Sequence, residues 1–175
     1  GKLTAGRFEI DGSVSSQFIT GLMLALPLLD GDSEVVLTSA LNSKPYVDIT
    51  LGVRCDFGCD ISQTESGYFI KGNRKLKPFS GSVEGDYSQA AFFRVANALG
   101  SELEINGLNK NSLQGDKIIE DICESYTAGG CKPFDIDCSD IPDLVPILTV
   151  LACFCNGKSR LTNVPRLRFK ESDRL

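Results

Sequence analysis

The sequence of 175 residues contains no histidine. Histidine is the general base of Ser-His-Asp and Cys-His sites, so its absence excludes both kinds of nucleophilic catalysis. Any acid–base chemistry must therefore come from carboxylates or lysines. Metal ligands are scarce too, because no C-x-x-C pair occurs and only Cys55 and Cys59 stand at the i,i+4 spacing of a helix. A zinc site at this pair would have no histidine to complete it, which argues against one.

Long apolar runs and surplus basic charge are also lacking. The runs at residues 18–29 and 144–154 are too short to span a bilayer, and no signal peptide opens the sequence. A net charge of -5 argues against a general nucleic-acid binder. The seven cysteines, an odd number scattered through apolar stretches, predict reduced core thiols and a cytoplasmic location. With 42% hydrophobic and 23% charged residues, the chain is predicted to form one domain or two small ones.

The run FEIDGSVSSQFITGLMLALPLL, residues 8–29, is the most informative stretch of what is present. Alternation at residues 8–11 predicts a strand, and the apolar stretch at residues 18–29 predicts a helix that Ser15, Ser16 and Gln17 open. The first N–H groups of a helix have no partner inside it, and the helix dipole is positive there. Two hydroxyls and an amide at that end favour an anion site. The alternative is that one serine only caps the helix.

The pattern of strand, polar turn, apolar helix and strand occurs three times. The copies begin near residues 8, 82 and 134, with helices at 18–29, 90–99 and 144–155 and second strands at 34–38, 102–105 and 159–162. Further helices are predicted at residues 47–57 and 117–126, and a hairpin of strands at 60–64 and 68–71 closes the first copy. The repeated unit is therefore βαβαββ.

The spacing of the copies is uneven. Ser16 and Ser88 are 72 residues apart, whereas Ser88 and Asp143 are 55 apart, so the second copy has no room for a closing hairpin. Either the hairpin is shortened near residues 126–130 or a segment is missing, and the sequence leaves both open. A start without Met and an end directly after a charged cluster are typical of a piece of a longer protein.

Six blocks in order carry a family resemblance. They are SSQ (15–17), SKPYVDIT (43–50), VEGD (83–86), NSLQGD (111–116), IPD (141–143) and KESDRL (170–175). Together they resemble the EPSP synthase family, over the middle of such an enzyme. The resemblance implies an α+β fold of repeated βαβαββ units, three in each of two lobes, of which this chain is a partial copy. Residues 1–82 would belong to the first lobe, as one complete unit. Residues 83–175 would belong to the second lobe, as one shortened unit and the start of another.

The resemblance also implies a reaction. The family transfers the enolpyruvyl group of phosphoenolpyruvate to the 5-hydroxyl of shikimate 3-phosphate, releases phosphate and thereby serves aromatic amino acid biosynthesis. The reaction passes through a tetrahedral intermediate, and the resemblance implies no metal, no organic cofactor and a monomeric enzyme. Because both substrates are anions, the site needs phosphate-binding donors and groups that transfer protons.

Five residues of the first unit resemble the family's contacts to shikimate 3-phosphate. Ser15, Ser16 and Ser43 would bind its phosphate, and Tyr46 would lie against its ring. Gln17 would contact both substrates. The alternatives are helix capping for the serines and surface or loop packing for Gln17 and Tyr46.

Four residues near the end of the chain resemble the family's reactive groups. Asp143 would be the base that takes the proton from the attacking hydroxyl, since a carboxylate at a helix N-terminus is favoured in its ionised form. Glu171 would exchange a proton with the methylene of phosphoenolpyruvate. Lys170 would contact shikimate 3-phosphate, and Arg174 the phosphate of phosphoenolpyruvate. By charge alone, Asp143 is a helix N-terminal charge, and residues 170–174 are a solvated helix start with Glu171 and Arg174 paired at i,i+3.

Departures from the family pattern leave some roles unassigned. Where many members have Asn-Trp-Arg, this chain has Arg166, Leu167 and Arg168, so one contact to shikimate 3-phosphate has no candidate. The family's N-terminal Lys-Ser pair, a glycine turn with an arginine, and a later arginine and lysine are also absent, which predicts an inactive fragment. Two rival functions stay open: a UDP-N-acetylglucosamine enolpyruvyl transferase, and a non-catalytic repeat module that binds proteins.

Overall fold

The computed structural model describes residues 1–59, 61–169 and 172–175. The chain forms two compact units, Gly1–Ser82 and Val83–Leu175. Within the described residues, no helix combines the length and the apolar character needed to cross a membrane.

A four-stranded sheet and two helices make up the first unit. The strands are β1 (Arg7–Ile10), β2 (Ser33–Leu37), β3 (Ile61–Gln63) and β4 (Gly67–Ile70), and the helices are α1 (Ser16–Ala25) and α2 (Lys44–Asp56). The strand order is β1-β2-β4-β3, in which β1 and β2 are parallel and the other two pairs are antiparallel. Parallel neighbours need a crossover connection, and α1 supplies it.

The core of the first unit follows from the apolar spacing of α1. Ile19, Met23 and Leu26 are i, i+4 and i+7 and are fully buried, so they form one apolar face. This face packs in one cluster with Val35 of β2 and Tyr68 of β4. Pro27 lies in a 3-10 turn, Leu26–Leu28, directly after α1. A proline cannot supply the backbone N–H that a longer helix needs, which is why the apolar run is not one helix to residue 29.

The second unit has three helices and a two-stranded parallel sheet. The helices are α3 (Tyr87–Ala98), α4 (Ile119–Ala128) and α5 (Val145–Cys153), and the strands are β5 (Asp135–Asp137) and β6 (Arg160–Thr162). Asp86 caps α3 by accepting a hydrogen bond from the Ser88 N–H (2.8 Å). The core joins all three helices through large buried side chains, among them Tyr87, Ile119 and Leu148.

The predicted strands of the second copy are wrong. Residues 82–86 and 102–105 are all described, and none of them lies in a strand. Asn97 of α3 explains part of this, because its side-chain amide donates to the Leu103 C=O and accepts from the Leu103 N–H, both at 2.8 Å. The Leu103 N–H and C=O therefore bind the Asn97 side chain instead of the backbone of a neighbouring strand. The alternating Glu and Leu pattern at residues 102–104 remains exposed.

The connection from α4 to β5 bears on the missing hairpin. Residues 129–134, all of them described, contain no strand and lead directly from one element to the next. The second copy therefore lacks a closing hairpin in this chain.

The cysteines are less uniformly buried than their apolar neighbours predict. All seven are free, but Cys55 and Cys153 are exposed, so these two are not core thiols. Burial raises the pKa of the Cys123 and Cys138 thiols to about 11. Cys59 is buried and accepts a hydrogen bond from the Arg54 guanidinium (3.0 Å). No cluster of three or more potential metal ligands occurs among the described residues.

Leu148 should be a main determinant of the second unit's stability, because its side chain is fully buried between the helices. Leu148→Ala is expected to lower the free energy of unfolding by about 3 kcal/mol, from lost burial and the cavity left behind. Val150→Ala is the matched control on the same helix, since Val150 is 45% exposed. In urea denaturation, Val150→Ala should change the free energy of unfolding by at most about 0.5 kcal/mol. Equal effects of both substitutions would contradict the described packing.

Candidate functional site

Two strand-to-helix loops meet at one edge of the first sheet. Strands β1 and β2 are parallel and paired in register, with Ile10 opposite Leu37, so their carboxyl ends lie side by side. The β1–α1 loop, residues 11–15, and the β2–α2 loop, residues 38–43, both begin at this edge and both lead into a helix N-terminus. The arrangement brings the N-termini of two helices to the same side of the sheet.

Direct hydrogen bonds hold these two loops together. The Ser13 N–H donates to the Ser39 hydroxyl (3.1 Å), and the Asn42 N–H donates to the Gly12 C=O (3.1 Å). The Asn42 side-chain amide also donates to the Ser13 C=O (3.4 Å). A Cβ atom on Gly12 would stand 3.1 Å from the Ala40 C=O oxygen, so glycine permits this close approach.

The predicted phosphate ligands of the first loop lie at the start of α1. The Ser15 hydroxyl caps the helix by accepting a hydrogen bond from the Gln17 N–H (3.2 Å). A hydroxyl that accepts one hydrogen bond still has its O–H to donate, so capping and anion binding are compatible. Ser16 is only 4% exposed, whereas the Gln17 side chain is exposed and Ser15 is partly so. Ser16 therefore lies deeper than Ser15 and Gln17, which form the exposed rim of the N-terminus of α1.

Ser43 and Tyr46 occupy the corresponding position in the second loop. Ser43 precedes α2 in a left-handed backbone conformation (φ 56°, ψ 41°) and is 2% exposed. The Tyr46 N–H donates to the Ser43 C=O (3.2 Å), which begins the helix, and the Tyr46 side chain is partly buried. Lys44, next to them, is paired with Asp48 at 2.6 Å. The second loop therefore presents a buried serine and a partly buried aromatic ring at its helix start.

Asp143 lies at the equivalent position of the second unit. The parallel strands β5 and β6 again place two loops at one edge. After β5 the chain enters a 3-10 turn, Pro142–Leu144, which continues into α5. Pro142 and Leu144 are buried and anchor the turn, while the Asp143 side chain between them is 31% exposed. The carboxylate is therefore held at the N-terminal end of the helix with access to solvent.

Arg174 returns to Asp143 from the end of the chain. Its guanidinium Nη1 lies 3.8 Å from the Asp143 Oδ1, and its backbone N–H donates to the Leu167 C=O (3.1 Å). Leu167 is fully buried, so its carbonyl group is an acceptor held firmly in place. Residues 172–175 are not helical, and Arg168 pairs with Asp173 at 2.9 Å, so a solvated helix start does not describe this segment.

Two of the predicted site residues, Lys170 and Glu171, lie outside the described residues. The structure therefore brings Asp143 and Arg174 together and gathers the five predicted residues of the first unit on two joined loops and the first turns of the helices that follow them.

Two aspartates at the carboxyl ends of β1 and β5 were not singled out by sequence. Hydrogen bonds from the Ser13 and Ser39 hydroxyls and the Ser13 N–H hold the pKa of Asp11 below its ordinary value. Asp137 accepts hydrogen bonds from the Ser139 N–H (2.9 Å) and the Asn163 side chain (2.7 Å), which likewise lower its pKa. The sequence contains one signal that could have found them: Asp11 ends FEID and Asp137 ends FDID, which occupy the same place in the repeat.

Comparisons with known proteins agree with the repeat and with the blocks. A family model described as EPSP synthase (3-phosphoshikimate 1-carboxyvinyltransferase) matches residues 1–175. The chain is 45% identical to a 3-phosphoshikimate 1-carboxyvinyltransferase of Clostridium botulinum and 43% identical to one of Methanocaldococcus jannaschii. It is covered completely in both comparisons but spans only 44% of each relative's length.

These alignments extend over 191 and 190 positions, more than the 175 residues of the chain, so the relatives have additional residues within the matched region. Among solved structures, an EPSP synthase from Acinetobacter baumannii matches with a TM-score of 0.71 at 21% identity. That match covers 99% of this chain and 43% of the other, so it supports the predicted fold as a partial copy of a larger protein.

The hydrogen bonds to Asp137 should make the thermal stability of the chain depend on pH. In Asp137→Asn the side chain can still accept from the Ser139 N–H, but its NH₂ group cannot accept from the Asn163 amide. The thermal unfolding midpoint should therefore be lower than that of the unsubstituted chain at pH 7. Because the pKa of Asp137 is lowered in the folded state, its stabilisation is present above the unfolded pKa of about 3.9.

This stabilisation is lost as the pH falls through the folded pKa, so the two midpoints should converge below about pH 4. Asp135→Asn, an exposed aspartate two residues earlier on the same strand, is the control and should leave the midpoint unchanged. A difference between the unsubstituted chain and Asp137→Asn that stays constant with pH would contradict the assignment.

Proposed function

The chain belongs to the EPSP synthase family, and on that premise we propose that the complete protein containing it transfers the enolpyruvyl group of phosphoenolpyruvate to the 5-hydroxyl of shikimate 3-phosphate. The main support is the meeting of two serine-bearing helix N-termini at one edge of the first sheet. The two units, Gly1–Ser82 and Val83–Leu175, then contribute to different lobes of the enzyme.

The first unit binds the phosphate of shikimate 3-phosphate in this proposal. Ser15, Ser16 and Ser43 supply hydroxyl donors at the starts of α1 and α2, where both helix dipoles favour an anion. Gln17, on the exposed rim, reaches both substrates, and Tyr46 lies against the shikimate ring. The support is that all five residues lie in two loops joined by hydrogen bonds or in the first turns of the helices that these loops begin.

The second unit carries out the proton transfers. The 5-hydroxyl oxygen forms a bond to C2 of phosphoenolpyruvate while Asp143 takes the hydroxyl proton, and Glu171 protonates the methylene carbon, which gives a tetrahedral intermediate. Glu171 then removes a proton from the resulting methyl group, the C–O bond to phosphate breaks, and the double bond re-forms. Phosphate leaves with the electron pair of that bond and takes up the proton held by Asp143, so atoms and charge balance and both carboxyl groups return to their starting states.

Arg174 orients the phosphoenolpyruvate phosphate beside this base. A guanidinium suits a phosphate because its N–H groups form a planar fork. The distance of 3.8 Å to Asp143, with both side chains about one-third exposed, is that of a loose ion pair. Such a pair contributes little to stability. Lys170, as a contact to shikimate 3-phosphate, and Glu171 are assigned from their places in the KESDRL block alone.

The complete gene product, rather than the 175-residue chain alone, should have the activity. Phosphate release should require both phosphoenolpyruvate and shikimate 3-phosphate. Asp143→Asn should lower kcat about 100-fold or more, because general base catalysis contributes effects of that size. Asp140→Asn, an exposed carboxylate three residues earlier, is the matched control and should keep kcat within about twofold.

Three results of this assay would contradict the proposal. Activity with UDP-N-acetylglucosamine in place of shikimate 3-phosphate would favour the related enolpyruvyl transferase. No turnover and no change in thermal stability with either acceptor would favour a non-catalytic module. Appreciable phosphate release by the 175-residue chain alone would contradict its assignment as an incomplete part of the site.

A further inference from the structure

Each of the three repeats contains a carboxylate that joins the connection before its first helix to a second connection later in the same repeat. Asp11 accepts a hydrogen bond from the Ser39 hydroxyl (2.5 Å), which lies 28 residues later. Asp137 accepts one from the Asn163 amide (2.7 Å), which lies 26 residues later. In the second repeat, Glu84 accepts one from the Ser112 hydroxyl (2.6 Å), again 28 residues later. We call Asp11, Glu84 and Asp137 the bridging carboxylates.

The first and third bridging carboxylates are also alike in their local turns. Asp11 stands directly after β1 and Asp137 is the last residue of β5, and each lies four residues before the residue that caps its helix or 3-10 turn, Ser15 or Ile141. Each accepts a hydrogen bond from the N–H two residues later (2.9 Å), which shapes the loop.

The second bridging carboxylate, Glu84, also joins two connections, but it stands at a different distance from its helix. Glu84 stands two residues before the cap of α3, and its longer side chain accepts from both Ser112 and the Gln114 side chain (2.9 Å). Gln114 also donates to the Gly85 C=O (2.9 Å) and accepts from the Tyr87 N–H (2.7 Å). Burial acts to raise the pKa of Glu84, but hydrogen bonds from Gln114, Ser112 and Asn109 lower it overall. The carboxylate is therefore held in its ionised form.

A charged acceptor suits this position for a physical reason. Hydrogen bonds to an ionised carboxylate are about twice as strong as those between neutral groups, and one carboxylate accepts several donors at once. Beyond the strands, the paired connections share backbone hydrogen bonds only at single points, such as Asn42 N–H to the Gly12 C=O (3.1 Å) and Gly85 N–H to the Gly107 C=O (2.8 Å), so side-chain contacts also set their distance. In the first and third repeats, these loops lead to the residues that we assign to the substrates.

We propose that the bridging carboxylates set the spacing of the paired loops in every repeat, and that Asp11 and Asp137 thereby act as positioning residues for substrate binding and proton transfer. The second half of this statement rests on the proposed function. Asp11 fixes the loop of Ser15 and Ser16 against the loop of Ser43. Asp137 fixes the loop that leads to Asp143 against the connection that follows β6. Glu84 fixes loops to which no substrate contact is assigned, so a substitution that weakens its contacts is an internal control for the effects at Asp11 and Asp137.

A matched pair of substitutions separates positioning from stability. Ser39→Ala and Ser112→Ala each remove one hydroxyl that donates to a bridging carboxylate and accepts from a backbone N–H, that of Ser13 or of Gln114. In the complete protein, both should lower the thermal unfolding midpoint by similar amounts. Only Ser39→Ala should raise KM for shikimate 3-phosphate, about fivefold, with kcat nearly kept. Ser39→Thr restores the hydroxyl and should restore KM.

Asp137→Asn completes the kinetic test. It keeps an acceptor for the Ser139 N–H but removes the negative charge and the acceptor for the Asn163 amide, and it should lower kcat about fivefold while KM for shikimate 3-phosphate stays unchanged. A Ser39→Ala protein with unchanged KM, or a Ser112→Ala protein with an equal change in KM, overturns the positioning role. An unchanged kcat in Asp137→Asn overturns it for the second unit.

Amide hydrogen exchange keeps the two hypotheses distinguishable. Ser39→Ala should speed exchange at Ser13 and Asn42, and Ser112→Ala should speed it at Gln114, whether or not the protein turns over these substrates. Absence of turnover in the unsubstituted complete protein overturns the proposed function. Faster exchange without turnover supports the bridges and overturns their role in positioning substrate, whereas unchanged exchange overturns the bridges themselves.

Discussion

The in-register pairing of parallel strands is the constraint on which the rest of this structure depends. In the first unit β1 pairs with β2, and in the second β5 pairs with β6, each connected through a helix. Parallel pairing forces both carboxyl ends to one edge, and the crossover helix must begin there. The loops, the helix N-termini and every described candidate site residue except Arg174 follow from this single geometric requirement.

The electrostatics of these edges follows from the same requirement. A helix that starts at the end of a strand presents unpaired N–H groups and the positive end of its dipole to the loop. In the first unit, neutral hydroxyl side chains occupy this place, and the edge is suited to an anionic ligand. In the second unit, Asp143 occupies it and Arg174 lies nearby, which suits proton transfer beside a bound phosphate. One backbone arrangement therefore supports two different chemical roles.

The contacts at these edges are better suited to placing groups than to stabilising the fold. The helices and their buried cores hold each unit together, with residues such as Leu148 and Ile19 fully buried. By contrast, the ion pair of Asp143 and Arg174 is long and partly exposed, and the exposed Asp11 and Asp137 stand at the carboxyl ends of β1 and β5. A partly exposed ion pair contributes little to the free energy of folding, whereas the hydrogen bonds to Asp11 and Asp137 join one connection to another. Stability and site geometry are therefore largely separate in this protein.

The sequence alone determined the repeat, the helices and the family, because these depend on local patterns. Apolar spacing located the helices to within a few residues, and the six blocks predicted the family that the comparisons then confirmed. Local alternation failed at residues 102–105, where Asn97 occupies the backbone groups of Leu103. Apolar neighbours likewise failed to predict that Cys55 and Cys153 are exposed.

Only the tertiary structure decided which side chains meet. Asp143 and Arg174 are 31 residues apart, and the bridging carboxylates bind donors 26 to 30 residues away. Such contacts depend on strand register and loop course, which no local pattern of residues encodes.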